Sequence, residues 1–168
     1  FNTGETYPVS KNHPLGWAIN GIFWENSRCR FADITDGTSN TLAASETTRI
    51  SAMWVTTPGR APLVDYGQQC LAAGVPVTGI RAGTWAVGHP GVTLYNHHRL
   101  PNNKDADCTG SRGDSEASFS EWVALTHDTT ARSLHSGGVN VLYADGHCGF
   151  AADGMDYLTW VAAGSRNG

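Results

Sequence analysis

Gly138-Val139-Asn140-Val141-Leu142-Tyr143-Ala144-Asp145-Gly146-His147-Cys148-Gly149-Phe150 reads as a β-hairpin, and this stretch decides the fold class. Its first seven residues are rich in β-formers. Asp145-Gly146 is a favoured pair for a two-residue type I′ turn, in which both residues must tolerate positive φ, and His147–Phe150 supplies the returning strand. Beyond it, Asp153 precedes a helical run from Met155 to Ala162 in which Leu158, Val161 and Ala162 share one face. Gly164 stands where a C-cap glycine belongs.

Towards the N-terminus, Thr35-Asp36-Gly37-Thr38-Ser39 offers several capping oxygens, which predicts a helix over Thr38–Thr48 containing Leu42, Ala43 and Glu46. Ser27–Ile34 before it is strand-like, and Ile50–Val55 after it is β-like, with Trp54 near its end. The middle, Thr56–Phe119, is dominated by Gly, Pro, Asn and Asp, with short apolar stretches at Thr84–Val87 and Val92–Tyr95 and a short helical signal following at Ser118–Leu125. No internal repeat or dividing linker is present. The expected fold is one α+β domain over residues 1–168. An antiparallel sheet containing the Asp-Gly hairpin packs on one or two helices, with long loops tied by disulfides.

The 168 residues are 40% hydrophobic and 15% charged, too apolar for a disordered chain and long enough for a core. A net charge of −4, with lysine only at 11 and 104, excludes nucleic acid and anionic membrane surfaces as partners of this chain. Four cysteines, Cys29, Cys70, Cys108 and Cys148, lack C-x-x-C spacing and predict two disulfides and an oxidising, extracellular compartment.

Several constellations could carry chemistry. Asp105, Asp107, Thr109 and Glu116, with Gly110, occupy ligand positions of an EF-hand loop, so calcium is a candidate ligand, although no cofactor is required. An acidic solvated loop is the plainer reading, since Arg112 sits where an apolar residue is customary. Seven histidines raise a transition-metal reading through His89, His97-His98, His135 and His147, but adjacent histidines on a strand face opposite ways. Asp33 with Asp36, or Asp114 with Glu116, could supply paired carboxylates. No G-x-S-x-G elbow is present, and no catalytic residue is nominated. Of six tryptophans, Trp17 and Trp24, in the loop-rich start, are candidates for stacking on a polysaccharide or small solute.

His135, nine intervening residues, then Asp145-Gly146 resembles the H-x(9)-D-G signature of a large planctomycete family of unknown function. The surrounding Ser133–Gly146, Asp156–Trp160 and Gly164–Gly168 are similar to that family's C-terminal pattern. A second block, from Asn26-Ser27 through Arg30 to Leu42 and ending near Glu46, is similar to its other recurrent segment. Family members usually begin with a prepilin-type segment and a long apolar helix, and are described as pseudopilin-like or as solute-binding or transport proteins. The resemblance implies a pilin-like head domain without its N-terminal anchor helix, and any membrane attachment would run through that missing helix. Cys29 and Cys148, on predicted strands of the two family blocks, form the preferred pair, with Cys70–Cys108 between the loops. The leading expectation is a non-catalytic, extracellular, pilin-like head that assembles with like subunits or presents a ligand. A secreted carbohydrate- or solute-binding module is the first alternative and a metal-dependent enzyme the second.

Overall fold

The computed structural model describes residues 6–8, 17–24, 27–49, 53–56, 75–77, 86, 88, 92–105, 107–110 and 127–167. In chain order these contain β1 (Thr6–Pro8), β2 (Trp17–Ile19), a 3-10 turn at Phe31–Asp33, β3 (Leu42–Ser45), β4 (Met53–Thr56) and β5 (Val75–Val77). Then come β6 (Asp107–Gly110), β7 (His127–Asp128), β8 (Gly138–Tyr143), β9 (Cys148–Ala152) and the helix α1 (Tyr157–Gly164). The strands form a β1-β2 ribbon, an antiparallel sheet of order β3-β8-β9 and a mixed sheet of order β5-β4-β6-β7, in which β4 and β6 run parallel. The expected antiparallel sheet around the hairpin is present, as one of three sheets among the described residues, and with α1 it makes the fold α+β.

The hairpin is present, with Asn140 opposite Phe150 and Leu142 opposite Cys148. Its turn differs from the expected one. Gly146 N donates to Tyr143 O at 3.0 Å and Tyr143 N donates to His147 O at 2.9 Å, which makes a three-residue loop. Gly146 has φ +94, whereas Asp145 stays outside the positive-φ region. This is a type I turn closed by a left-handed glycine, not a type I′ turn. Asp145 Oδ1 stiffens it by accepting from His147 N at 3.0 Å and His147 Nδ1 at 2.7 Å.

The helix expected over Thr38–Thr48 is replaced by a turn and β3. The turn is closed on main-chain oxygens: Asn40 N and Thr41 Oγ1 both donate to Gly37 O, and Asn40 Nδ2 donates to Asp36 O. Main-chain oxygens that a helix would have paired internally accept from the hairpin instead, Thr41 O from Ala144 N at 2.8 Å and Thr38 O from Asp145 N at 3.1 Å. Ladder bonds to a distant strand thus outweigh a local cap. The strand-like Ser27–Ile34 is likewise a 3-10 turn with its flanks. The helical signal at Ser118–Leu125 lies outside the described residues.

Alternation on β8 places Val139 and Val141 inward and Asn140 and Leu142 outward. Leu42, Val139, Val141 and Ala151 pack from the sheet onto Trp160 of α1, with Tyr95 and Ala131 completing the core. Trp160 is fully buried, and its indole N–H donates to Arg99 O at 2.9 Å, so the large ring enters the core without an orphaned donor. The helix begins at Tyr157 and not at Met155, because Asp156 is its cap, with Oδ1 accepting from Thr159 N at 2.8 Å.

Candidate functional site

Glu46, immediately after β3, joins the two sequence blocks singled out above. Its Oε2 accepts from Asn140 N at 2.8 Å, and its Oε1 lies 3.0 Å from both Asn140 Nδ2 and His135 Nε2. The glutamate main chain also pairs, donating to Asn140 O and accepting from Arg132 N. Burial pushes its carboxyl upward, but the hydrogen bonds from Asn140 and His135 outweigh that and leave it below its ordinary value. His135 thus bonds a carboxylate across 89 positions of sequence and makes a contact separate from that of Asp145-Gly146, which belongs to the hairpin turn.

Beside His135 opens a surface groove of about 330 Å³ lined by Thr48, Asn102, Arg132, Ser133, Leu134, His135 and Asp153. Asn102 adopts a left-handed φ of 51, which asparagine tolerates better than most residues. Its Nδ2 donates to Asp153 Oδ1 at 2.8 Å and Gly138 O at 3.3 Å, and its Oδ1 accepts from Ser133 N at 2.7 Å. Three chain segments are locked together by one side chain.

Behind the groove, Asp107 is fully buried and its Oδ1 accepts from Arg132 Nε at 3.0 Å and Nη2 at 2.9 Å, with Arg99 Nη2 at 3.7 Å. Arg132 also donates to the main-chain oxygens of Asn103 and Asp105. Of the calcium-loop candidates, Asp107 is thus committed to arginines on β6, and Asp105 is exposed. Thr109 is described only as a β6 strand residue paired with Val55 and His127, and Glu116 lies outside the described residues. Among the described residues no three His, Cys, Asp or Glu side chains are grouped to hold a metal.

Among the described residues the histidines disperse, and His89 lies outside them. His97 is buried, stacked on Trp160 at 4.0 Å, and donates from Nδ1 to Trp160 O at 2.7 Å. Burial lowers its pKa to about 3 against the raising effect of that bond, so the ring is neutral. His147 stacks on Tyr143 at 4.1 Å in the hairpin turn. Asp33 is held down to about 2 by Arg30, whose guanidinium donates to it at 2.8 Å.

Trp24 is half-buried beneath the Arg166 guanidinium, 5.0 Å from the ring centre, while for Trp17 only the backbone, on β2, is described. Cys29 and Cys148 are free, which corrects the expected Cys29–Cys148 bridge. Cys29 lies outside any strand, where its thiol donates to Arg30 O at 3.7 Å, whereas Cys148 is exposed at the start of β9. Cys70 and the side chain of Cys108 fall outside the described residues. Glu46, Asn102, Arg132, Ser133 and Asp153 escaped nomination as site residues because no local pattern marks them. The only usable signal was Glu46 closing a recurrent block.

The fold and groove define a small α+β domain in which a C-terminal hairpin, a terminal helix and a distant N-terminal loop make one unit. The profile of a family described as "Protein of unknown function (DUF1559)", labelled SBP_bac_10, matches residues 17–157, and the chain belongs to that family. No curated protein and no solved structure matches the chain.

Proposed function

We propose that this chain is the non-catalytic head of an exported, pilin-like surface assembly, and that it meets like subunits through β9 and the outer face of the β3-β8-β9 sheet. One observation carries the reading: Leu142, Cys148, Phe150 and Ala152 are all exposed on that face, Phe150 at 55%. Among the described residues β9 ends its sheet, and its sequence, Cys-Gly-Phe-Ala-Ala, contains none of the charges or prolines with which edge strands usually block pairing. A second copy offers the same uncharged row, as a two-fold interface requires. Support for a non-catalytic role comes from the ionisable side chains, since Asp107, Glu46, Asp145 and His97 are each tied into bonds that hold the fold together. Export rests on the resemblance to prepilin-type proteins, because the free Cys29 and Cys148 remove one of the two disulfides that argued for it.

Sedimentation velocity from about 1 μM to about 1 mM, the range of weak interfaces, tests the reading. The expected result is concentration-dependent association, weakened at least about tenfold by Phe150→Lys and by Ala152→Lys while the melting temperature holds. A monomer throughout, or association indifferent to both substitutions, would sink it.

A further inference from the structure

We infer that the groove beside His135 is a binding site for a neutral, hydroxyl-rich solute about the size of one sugar ring. The inference stands apart from assembly, since it uses none of the outer-face residues. The groove's 330 Å³ falls at the small end of ligand pockets, which run from about 300 to about 1,000 Å³.

Its walls are set before any ligand arrives. Asn102, the one non-glycine with positive φ among the described residues, spends its amide on Asp153, Gly138 and Ser133. Ser133 Oγ donates to Gly138 O at 2.6 Å and accepts from His135 N at 3.1 Å. Arg132 is pinned by Asp107 and by two main-chain oxygens. A left-handed non-glycine residue whose side chain is fully engaged is the kind of over-determined backbone found at ligand sites.

These commitments leave specific atoms for a ligand. Asp153 uses Oδ1 for Asn102, so Oδ2 is the acceptor left. His135 donates from Nε2 to Glu46, so Nδ1 of the neutral ring is left as an acceptor. Leu134, 84% exposed, offers an apolar edge of the kind a sugar ring's C–H face can cover. Asp153 Oδ2 and His135 Nδ1 both accept, which suits the O–H donors of a hydroxyl-rich solute, whereas an ionised carboxylate has no proton to give them. Charge agrees: the lining holds one arginine and one aspartate, Arg132 and Asp153, and the Arg132 guanidinium is already paired with the buried Asp107. An anion gains nothing there. The site also draws Thr48 and His135 from chain segments far apart in sequence, which local folding alone would not bring together.

The test is saturation-transfer NMR with glucose, N-acetylglucosamine and glycerol, set against glucuronate and inorganic phosphate. At least one neutral probe should bind with millimolar affinity, and Asp153→Asn and Leu134→Glu should each weaken it about tenfold with the melting temperature unchanged. Leu134 makes no structural hydrogen bond through its side chain, so its variant stays informative if Asp153→Asn destabilises the fold. The Phe150→Lys protein should bind as the parent does, which separates failure here from failure of the assembly reading. No transfer from any neutral probe at about 10 mM, preference for phosphate or glucuronate, or binding untouched by both substitutions would each overturn the site.

Discussion

Glu46 shows how much one side chain can settle: its two oxygens meet Asn140 twice and His135 once, fixing the end of β3 against β8. Its folded carboxyl titrates below the ordinary value, so its stabilising effect is fully present above the unfolded pKa of about 4.3 and disappears as pH falls through the folded one. Glu46→Gln should therefore lower the urea midpoint at neutral pH, and the gap from the parent should close between about pH 5 and about pH 3. A gap constant with pH would show that the bonds do not depend on charge. Gly164 makes a steric counterpart. A Cβ there would stand 2.5 Å from His97 Cγ, and that ring is buried against Trp160. The glycine expected as a C-cap is in fact required by close approach of a side chain, and the cap is Ser165. Gly164→Ala should cost about 1–3 kcal/mol by overpacking, read from urea unfolding.

At the scale of elements, two turn glycines of the C-terminal region, Gly146 and Gly154, separate backbone strain from packing. Gly146 has φ +94 and Gly154 has no positive φ, yet a Cβ on either would meet nothing within 4 Å. Gly146→Ala should thus cost about 1–2 kcal/mol through left-handed strain alone, whereas Gly154→Ala should be neutral or stabilise by up to about 1 kcal/mol. Equal effects in denaturant titrations would contradict the turn assignment. The hairpin and terminal helix were legible because their signals are local: a β-rich run, an Asp-Gly turn, an apolar face at helical spacing. β3 was not, because Leu42–Ser45 becomes a strand only by pairing with Val141, Leu142 and Tyr143, about 100 residues later. For the groove, His135 alone was foreseen. Asn102 and Asp153 meet through a turn geometry and a side-chain bond spanning 51 positions, and no spacing rule reports such a bond.

Over the whole molecule, the distant parts are tied by the C-terminal segment where a disulfide was expected. Arg166 donates from Nη1 to Gly21 O at 2.6 Å and from its main chain to Asn20 O at 2.8 Å, and its guanidinium covers Trp24. Its carbonyl accepts from Thr35 N at 2.8 Å, while Thr41 Oγ1 reaches Ser165 O at 3.3 Å. Cys29 and Cys148 contribute no covalent link to this arrangement. Removing a native disulfide costs about 2–5 kcal/mol, whereas losing a free exposed thiol costs almost nothing. Cys148→Ser should accordingly leave the urea midpoint within about 0.5 kcal/mol of the parent, while Arg166→Met, which deletes a charged hydrogen bond to a main-chain carbonyl, should cost about 1.5–3 kcal/mol. Iodoacetamide should mark Cys148 quickly in the native protein and Cys29 slowly, since burial raises the Cys29 thiol and the thiolate is the reacting form. A peptide map showing Cys29 linked to Cys148, or a Cys148→Ser loss as large as that of Arg166→Met, would restore the covalent staple and reduce the C-terminal segment to a secondary tie.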